Sequence, residues 1–187
     1  MFKKILFPFF SLFLAYRSYD LLRLLYAKSP ENYGTWENFL NAAFLSAFVT
    51  GFFAFLGFAY PTSKLLPKNY YRIQSPEFLQ MVYRILGVEV FRKLLMVFFW
   101  GTAKNRKKYF NGTKSGIAQF VHETHQSEFG HLMAGIAISV LSIPLALWGY
   151  WEVVLWLTII NVIGNFYPII LQRAHRIRVQ RMVPELS

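Results

Sequence analysis

The chain has 187 residues, 55% hydrophobic and 19% aromatic, and its 20 Lys and Arg stand against 9 Asp and Glu for a formal net charge of +11. Only 16% of the residues are charged, against about 25% in a soluble domain, which excludes disorder and argues against an ordinary soluble enzyme. The composition fits a membrane protein whose charge lies outside the bilayer, and with no Cys there is no disulfide framework, thiolate nucleophile or zinc-thiolate site.

Ile5 to Tyr26 is the first candidate span. Ile5 to Tyr16 is apolar apart from Ser11, and Arg17, Asp20 and Arg23 then follow at i, i+3 and i+6. Lys3-Lys4 before an apolar stretch also opens a signal peptide, but Leu14-Ala15-Tyr16 is not a small-x-small cleavage site. A retained helix is expected, its charged last third near an interface or inside the bundle, with Arg17 paired to Asp20. Phe39 to Tyr60 is the clearest span. It carries no charge, is long enough to cross the hydrocarbon core, and is flanked by Trp36 and Tyr60, as interfacial aromatic belts require.

The segment 61–128 is cytoplasmic or interfacial. Pro61, Pro67 and Pro76 break its first part, and Phe78 to Trp100 reads as one amphipathic helix lying in the membrane plane. Lys104 to Lys108 makes a basic turn. Asn111-Gly112-Thr113 fits a glycosylation sequon by chance, on the cytoplasmic side. Two further spans follow, Phe129 to Trp148 and Val153 to Leu171. The short link Gly149-Tyr150-Trp151-Glu152 makes them a helical hairpin, with a basic tail over 172–187.

The predicted fold is therefore an all-α integral membrane protein, a single membrane domain over 1–187. It has about four transmembrane helices plus an in-plane amphipathic helix on the cytoplasmic side. With both termini cytoplasmic, seventeen of the twenty basic residues lie inside, and Lys28 is the only one in an outside loop. This positive-inside asymmetry accounts for the net charge beside anionic lipid, without nucleic acid.

Two polar clusters remain. The first runs from His122 to His131 and holds three of the four His. At about 100° per residue, Glu128 and His131 share a helix face, with His125 further round, His122 opposite and Glu123 on the other side of His131. Such a face at a membrane entry is costly unless paired or used. The second is Asn161, Asn165, Pro168, Gln172 and Arg176, a polar stripe within about 80°, followed by Arg173, Arg176 and Arg178. Pro168 removes one backbone donor and frees the Gly164 carbonyl, which inside a membrane needs a partner. By depth, His131 and Asn165 face each other across the hairpin and form a polar pocket at the inner interface, rimmed by arginines.

Bland readings stand beside these. The asparagines can glue helices, His122 and His125 can be solvated, Glu128–His131 can be a structural hydrogen bond, and the arginines can be topology signals. Glu-x-x-His is also half of a di-iron bundle motif, but it occurs once where two are needed, so no metal site is expected. The only Asp is Asp20, which disfavours a Ser-His-Asp triad.

The pattern Glu123-Thr124-x-x-x-Glu128-x-x-His131, about thirty mostly apolar residues, then Asn165-x-Tyr167-Pro168-Ile169-x-x-Gln172-Arg173-x-x-Arg176-x-Arg178, resembles the glycosyl-diaponeurosporenoate acyltransferase family over roughly residues 77–181. The chain departs from the family pattern at Gln126-Ser127 and Leu132. The resemblance implies a multi-pass acyltransferase of the bacterial cytoplasmic (inner) membrane. It would move a fatty acyl group to a hydroxyl of a glycosylated carotenoid or related amphiphilic lipid. No cofactor is implied; acyl-CoA or a similar acyl donor is the co-substrate. In that reading His131 takes the hydroxyl proton and Glu128 or Glu123 orients the imidazole. Asn165 and Gln172 donate to the oxyanion, Asn161 lines the substrate site, and Arg173, Arg176 and Arg178 hold the donor's phosphates. Two rivals are a non-enzymatic subunit or assembly factor that binds a membrane protein partner, and a metal-dependent membrane oxidase.

Overall fold

A computed structural model describes residues 2–98 and 114–182. Trp100, the basic turn Lys104–Lys108 and the sequon Asn111–Thr113 lie outside the described residues. Helix α1 (Phe2–Tyr26) runs on through Pro8, at the loss of one ladder bond. Its charged last third closes on itself as the spacing predicts. Arg17 Nη1 donates to Asp20 Oδ2 at 2.9 Å and Arg23 Nη2 to Asp20 Oδ1 at 3.3 Å. Helix α2 (Thr35–Ala59) starts four residues before the expected apolar run. Its polar first turn is held by the Gly34 N–H, which donates to Glu37 Oε2 at 2.9 Å. Ser11 Oγ ties α1 to α2 by donating to the Phe52 carbonyl at 2.8 Å.

The segment after α2 is helical in short pieces: a 3-10 turn at Thr62–Leu65, α3 (Lys68–Tyr71), α4 (Pro76–Ile85) and α5 (Val88–Phe98). The sequence predicts one helix from Phe78, but the chain breaks at Leu86-Gly87. Gly87 has φ +68, and its N–H donates to the Arg84 carbonyl at 3.1 Å. A left-handed glycine of this kind closes a helix C-terminus.

Helix α6 (Lys114–Leu147) begins well before the expected Phe129, so the whole His122–His131 cluster lies on one helix. Thr124, Glu128, His131, Gly135 and Ile138 succeed one another by fours and threes, and that stripe continues helical periodicity through the polar stretch. Gly149, with φ +88, ends α6. The Gly149 N–H donates to the Ala146 carbonyl and the Tyr150 N–H to the Leu145 carbonyl, a Schellman closure. The hairpin link is therefore Trp148-Gly149-Tyr150. Helix α7 (Trp151–Asn161) passes through a π segment (Val162–Phe166) into α8 (Tyr167–Met182). Residues 172–182 are thus helix, not tail: the π segment widens the ladder just ahead of Pro168, so the helix continues past a proline that would otherwise break it.

The chain packs as two units. The first takes Met1–Ser63 and Phe129–Phe166, the second Lys64–Glu128 and Tyr167–Ser187. Leu25, Ala42, Leu45, Val49, Ile138, Leu145, Val153 and Leu157 make the first core. Ile73, Tyr83, Val88, Ile170, Leu171 and Ile177 make the second. Four helical segments are long and apolar enough to cross a membrane: Phe2–Tyr26, Thr35–Ala59, Gly116–Leu147 and Trp151–Arg181. Only 11% to 22% of their most apolar windows is buried. Apolar area left open on that scale needs an apolar solvent, and a lipid bilayer provides one.

Candidate functional site

In the first unit the polar residues converge on His131. Its Nδ1 lies 3.1 Å from Asn165 Oδ1, and the ring also hydrogen-bonds the backbone of Gly164. The sequence accounts for that second contact. The residue four after Gly164 is Pro168, which has no N–H to give the Gly164 carbonyl. A side chain supplies the missing partner, as an apolar environment demands. Asn165 is 1% exposed. Its Nδ2 donates to Asn161 Oδ1 at 2.9 Å and lies 3.3 Å from Thr50 Oγ1. Asn161 Nδ2 donates to the Gly135 carbonyl at 3.1 Å and to Ser139 Oγ at 3.4 Å. Gly135 lies against this pair: a Cβ there would stand 3.5 Å from Asn161 Oδ1 and 3.6 Å from Asn165 Cβ, ordinary van der Waals contact.

The second unit holds a buried charge cluster. Glu128 is 0% exposed. Its Oε1 accepts from Arg173 Nε at 2.7 Å and its Oε2 from Arg176 Nη2. Arg176 is 4% exposed, and its Nη1 donates to Thr124 Oγ1 at 3.4 Å. Two cations around one carboxylate leave an excess positive charge. Among the described residues the buried Arg176 Nε has no hydrogen-bond partner. Gln172 Nε2 donates to Ser127 Oγ at 3.2 Å.

Tyrosines from α3 and α4 wall this cluster. The Arg173 guanidinium lies 5.0 Å from the Tyr70 ring centre and that of Arg176 5.8 Å from Tyr71, within cation–π range. Tyr71 also stacks on His125 at 4.2 Å. Burial first, and the Glu128 charge after it, push the Tyr71 phenol up to about 12. The Tyr83 phenol is pushed up as well, mainly by burial. On the rim, Arg178 pairs with Glu89, which also accepts from Arg92 at 2.6 Å. Burial opposes ionisation of Glu89, but the hydrogen bond from Arg92 and the charges of Arg178 and Arg92 hold its carboxyl below the ordinary range.

The structure thus joins His131, Asn161 and Asn165 in one cluster, and Glu128, Arg173 and Arg176 in another. Glu123 accepts from Gln119 at 2.8 Å, one turn earlier on α6, and His122 is exposed. The His175 ring lies 5.8 Å from Phe120. Sequence reasoning missed Thr50, Gly135, Tyr70 and Tyr71. Thr50 had a weak signal, as one of the few polar side chains, with Asn41 and Ser46, in an uncharged span. Gly135 lies one turn after His131 on the same helix face. The tyrosines reach their partners only through tertiary packing and carried no signal.

A protein-family model described as glycosyl-4,4'-diaponeurosporenoate acyltransferase matches residues 67–185. That segment contains every residue of both clusters except Thr50. No curated protein and no solved structure matches the chain.

Proposed function

Because the chain belongs to the glycosyl-4,4'-diaponeurosporenoate acyltransferase family, we propose that it moves a fatty acyl group to a hydroxyl of a glycosylated carotenoid or related amphiphilic lipid at the cytoplasmic leaflet. The single observation that carries this reading is the family match, which covers more than half of the chain. In the reaction the acceptor oxygen bonds to the acyl carbon, the donor's thioester C–S bond breaks, and the hydroxyl proton ends on the leaving thiolate. His131 is the group that takes and returns that proton. It is a ring held by hydrogen bonds on a long, apolar helical segment. In the second unit Arg173, Arg176 and Arg178 recognise the phosphates of acyl-CoA or a similar donor. The excess positive charge around Glu128 and the unpartnered Arg176 Nε support this role. Gln172, with a second amide hydrogen beyond the one given to Ser127, is a further polar donor of that unit. The protein sits in the bacterial inner membrane with both termini cytoplasmic, a placement supported by the one-sided distribution of its basic residues.

One observation favours a second reading. Both Glu128 oxygens are occupied by arginines of the same unit, as they would be in a structural ion cluster of a non-enzymatic subunit or assembly factor. That reading predicts co-purification with a stoichiometric membrane partner. Lipid and pigment mass spectra of cells with and without the gene separate the two. The acyltransferase reading expects a glycosylated amphiphile heavier by one fatty acyl group only when the gene is present. Indistinguishable spectra would overturn it.

A further inference from the structure

Helices α4 and α5 each show three faces, and contacts within the second unit account for two of them. One packs inward: Leu79, Val82 and Tyr83 of α4 and Val88, Phe91 and Leu95 of α5 belong to the second core or lie against it. Another is polar and tied to α8: Gln80 Oε1 accepts from Arg181 Nη2 at 2.9 Å, and Glu89 pairs with Arg178. The third face is apolar and open. It is formed by Phe78, Met81 and Ile85 on α4, spaced i, i+3, i+7, and by Val90, Leu94 and Val97 on α5, spaced i, i+4, i+7. Either spacing keeps the three side chains within about 60° of one another round the helix. All six are between 50% and 78% exposed. Apolar residues scattered singly over a surface need no explanation, but an aligned stripe on each of two neighbouring helices does.

We propose that these two stripes are a docking surface for a lipid leaflet with anionic headgroups. Length selects this over a membrane crossing. Helix α4 has 10 residues and α5 has 11, about half of what a span needs. The left-handed Gly87 between them, with φ +68, keeps the two from joining into one helix of spanning length. An apolar stripe too short to cross lies in the headgroup–acyl boundary instead. Charge selects the lipid. The second unit holds fifteen of the twenty basic residues but only five of the nine acidic ones, and a polybasic body beside a bilayer is drawn to anionic headgroups. Arg84 and Lys93, both exposed, border the stripes, where a long basic side chain lays its stem along apolar surface and holds its charge at a lipid phosphate. Glu77 borders the α4 stripe as well, so the α5 edge is the more basic of the two. The docking surface is independent of the acyltransferase reading: it concerns where the second unit rests, not what reaction it serves.

The chain has no Cys, so single cysteines carry nitroxide spin labels without background. The test labels F78C, M81C, I85C, V90C, L94C and V97C, each in the full chain reconstituted into vesicles of phosphatidylglycerol and phosphatidylethanolamine. Substitutions at exposed positions usually disturb the fold little, and six sites on two helices keep the readout if one variant fails to fold. Stripe labels should collide more often with oxygen, which partitions into lipid, than with a water-soluble nickel chelate. Labels on the polar face, at Gln80→Cys and Glu89→Cys, should show the reverse order. Stripe labels that meet nickel as readily as the polar-face labels would leave the stripes in water, and stripe labels shielded from both reagents would place protein over them; either result overturns the proposal. In vesicles of phosphatidylcholine alone the oxygen preference should fall, and an undiminished preference there overturns the part given to anionic headgroups.

Discussion

Glu128 shows how much a single buried charge can hold. It is fully enclosed, and both oxygens carry guanidinium partners. Removing one member of a buried ion cluster leaves the others desolvated and uncompensated, at a cost of about 3–5 kcal/mol. Glu128→Gln should therefore lower thermal stability in detergent by that order, whatever it does to activity; unchanged melting would mean that water reaches the cluster. Gly135 works at a finer scale. The space for a Cβ is ordinary van der Waals contact, and alanine is the better helix former by about 1 kcal/mol. Gly135→Ala should fold at least as well as the wild type and keep its activity. Gly135→Leu would push the asparagines off His131, and a displacement of about 1 Å at a reacting group can lower the rate by ~10²-fold. Assaying the two variants side by side separates loss of geometry from loss of the fold.

At the scale of elements, the long helices were legible and their ends were not. Hydropathy marks an apolar run but is blind to polar turns that cap or extend it. Thr35 to Asn38 are helical because Glu37 satisfies the Gly34 N–H. Residues 114–128 are helical because Thr124 and Glu128 continue the stripe that Ile138 completes. Pro168 was read correctly as freeing a carbonyl, but the π segment that lets α8 continue depends on packing around Val162–Phe166, which spacing does not encode. The pairing of Glu89 with Arg92 and Arg178 links α5 to α8 and gives an element-scale prediction. Its folded carboxyl lies below the ordinary value of 4.5, so the stability it contributes is fully present above that pH and is lost as pH falls through the depressed value. Half-exposed partners make the contribution roughly 0.2–1 kcal/mol. Acid melts of the wild type should converge on those of Glu89→Gln as the carboxyl protonates; a constant offset between the two curves at all pH values would contradict this.

For the whole molecule, a chain 55% hydrophobic with only 16% of its residues charged is the feature that a soluble reading cannot accommodate. Four apolar helical segments and their open surfaces fit a bilayer. Composition and hydropathy were enough for that much. The site was legible only in part. His131 and Asn165 could be placed at one depth because both follow from helical rise and a short hairpin link. The arginines around Glu128 could not be assigned to it, because their sequence separation is large and any acid in the chain was an equal candidate. The account's central claim is that a histidine held by neutral amides performs acyl transfer in this membrane protein. The measurement that tests it most directly is transfer of a labelled fatty acyl group from acyl-CoA to a glycosylated carotenoid in membranes carrying the wild-type protein or His131→Ala at equal abundance. A general base contributes about 10²–10⁴-fold, so the variant's rate should fall by at least about 10²-fold; a variant that acylates at the wild-type rate would contradict the account.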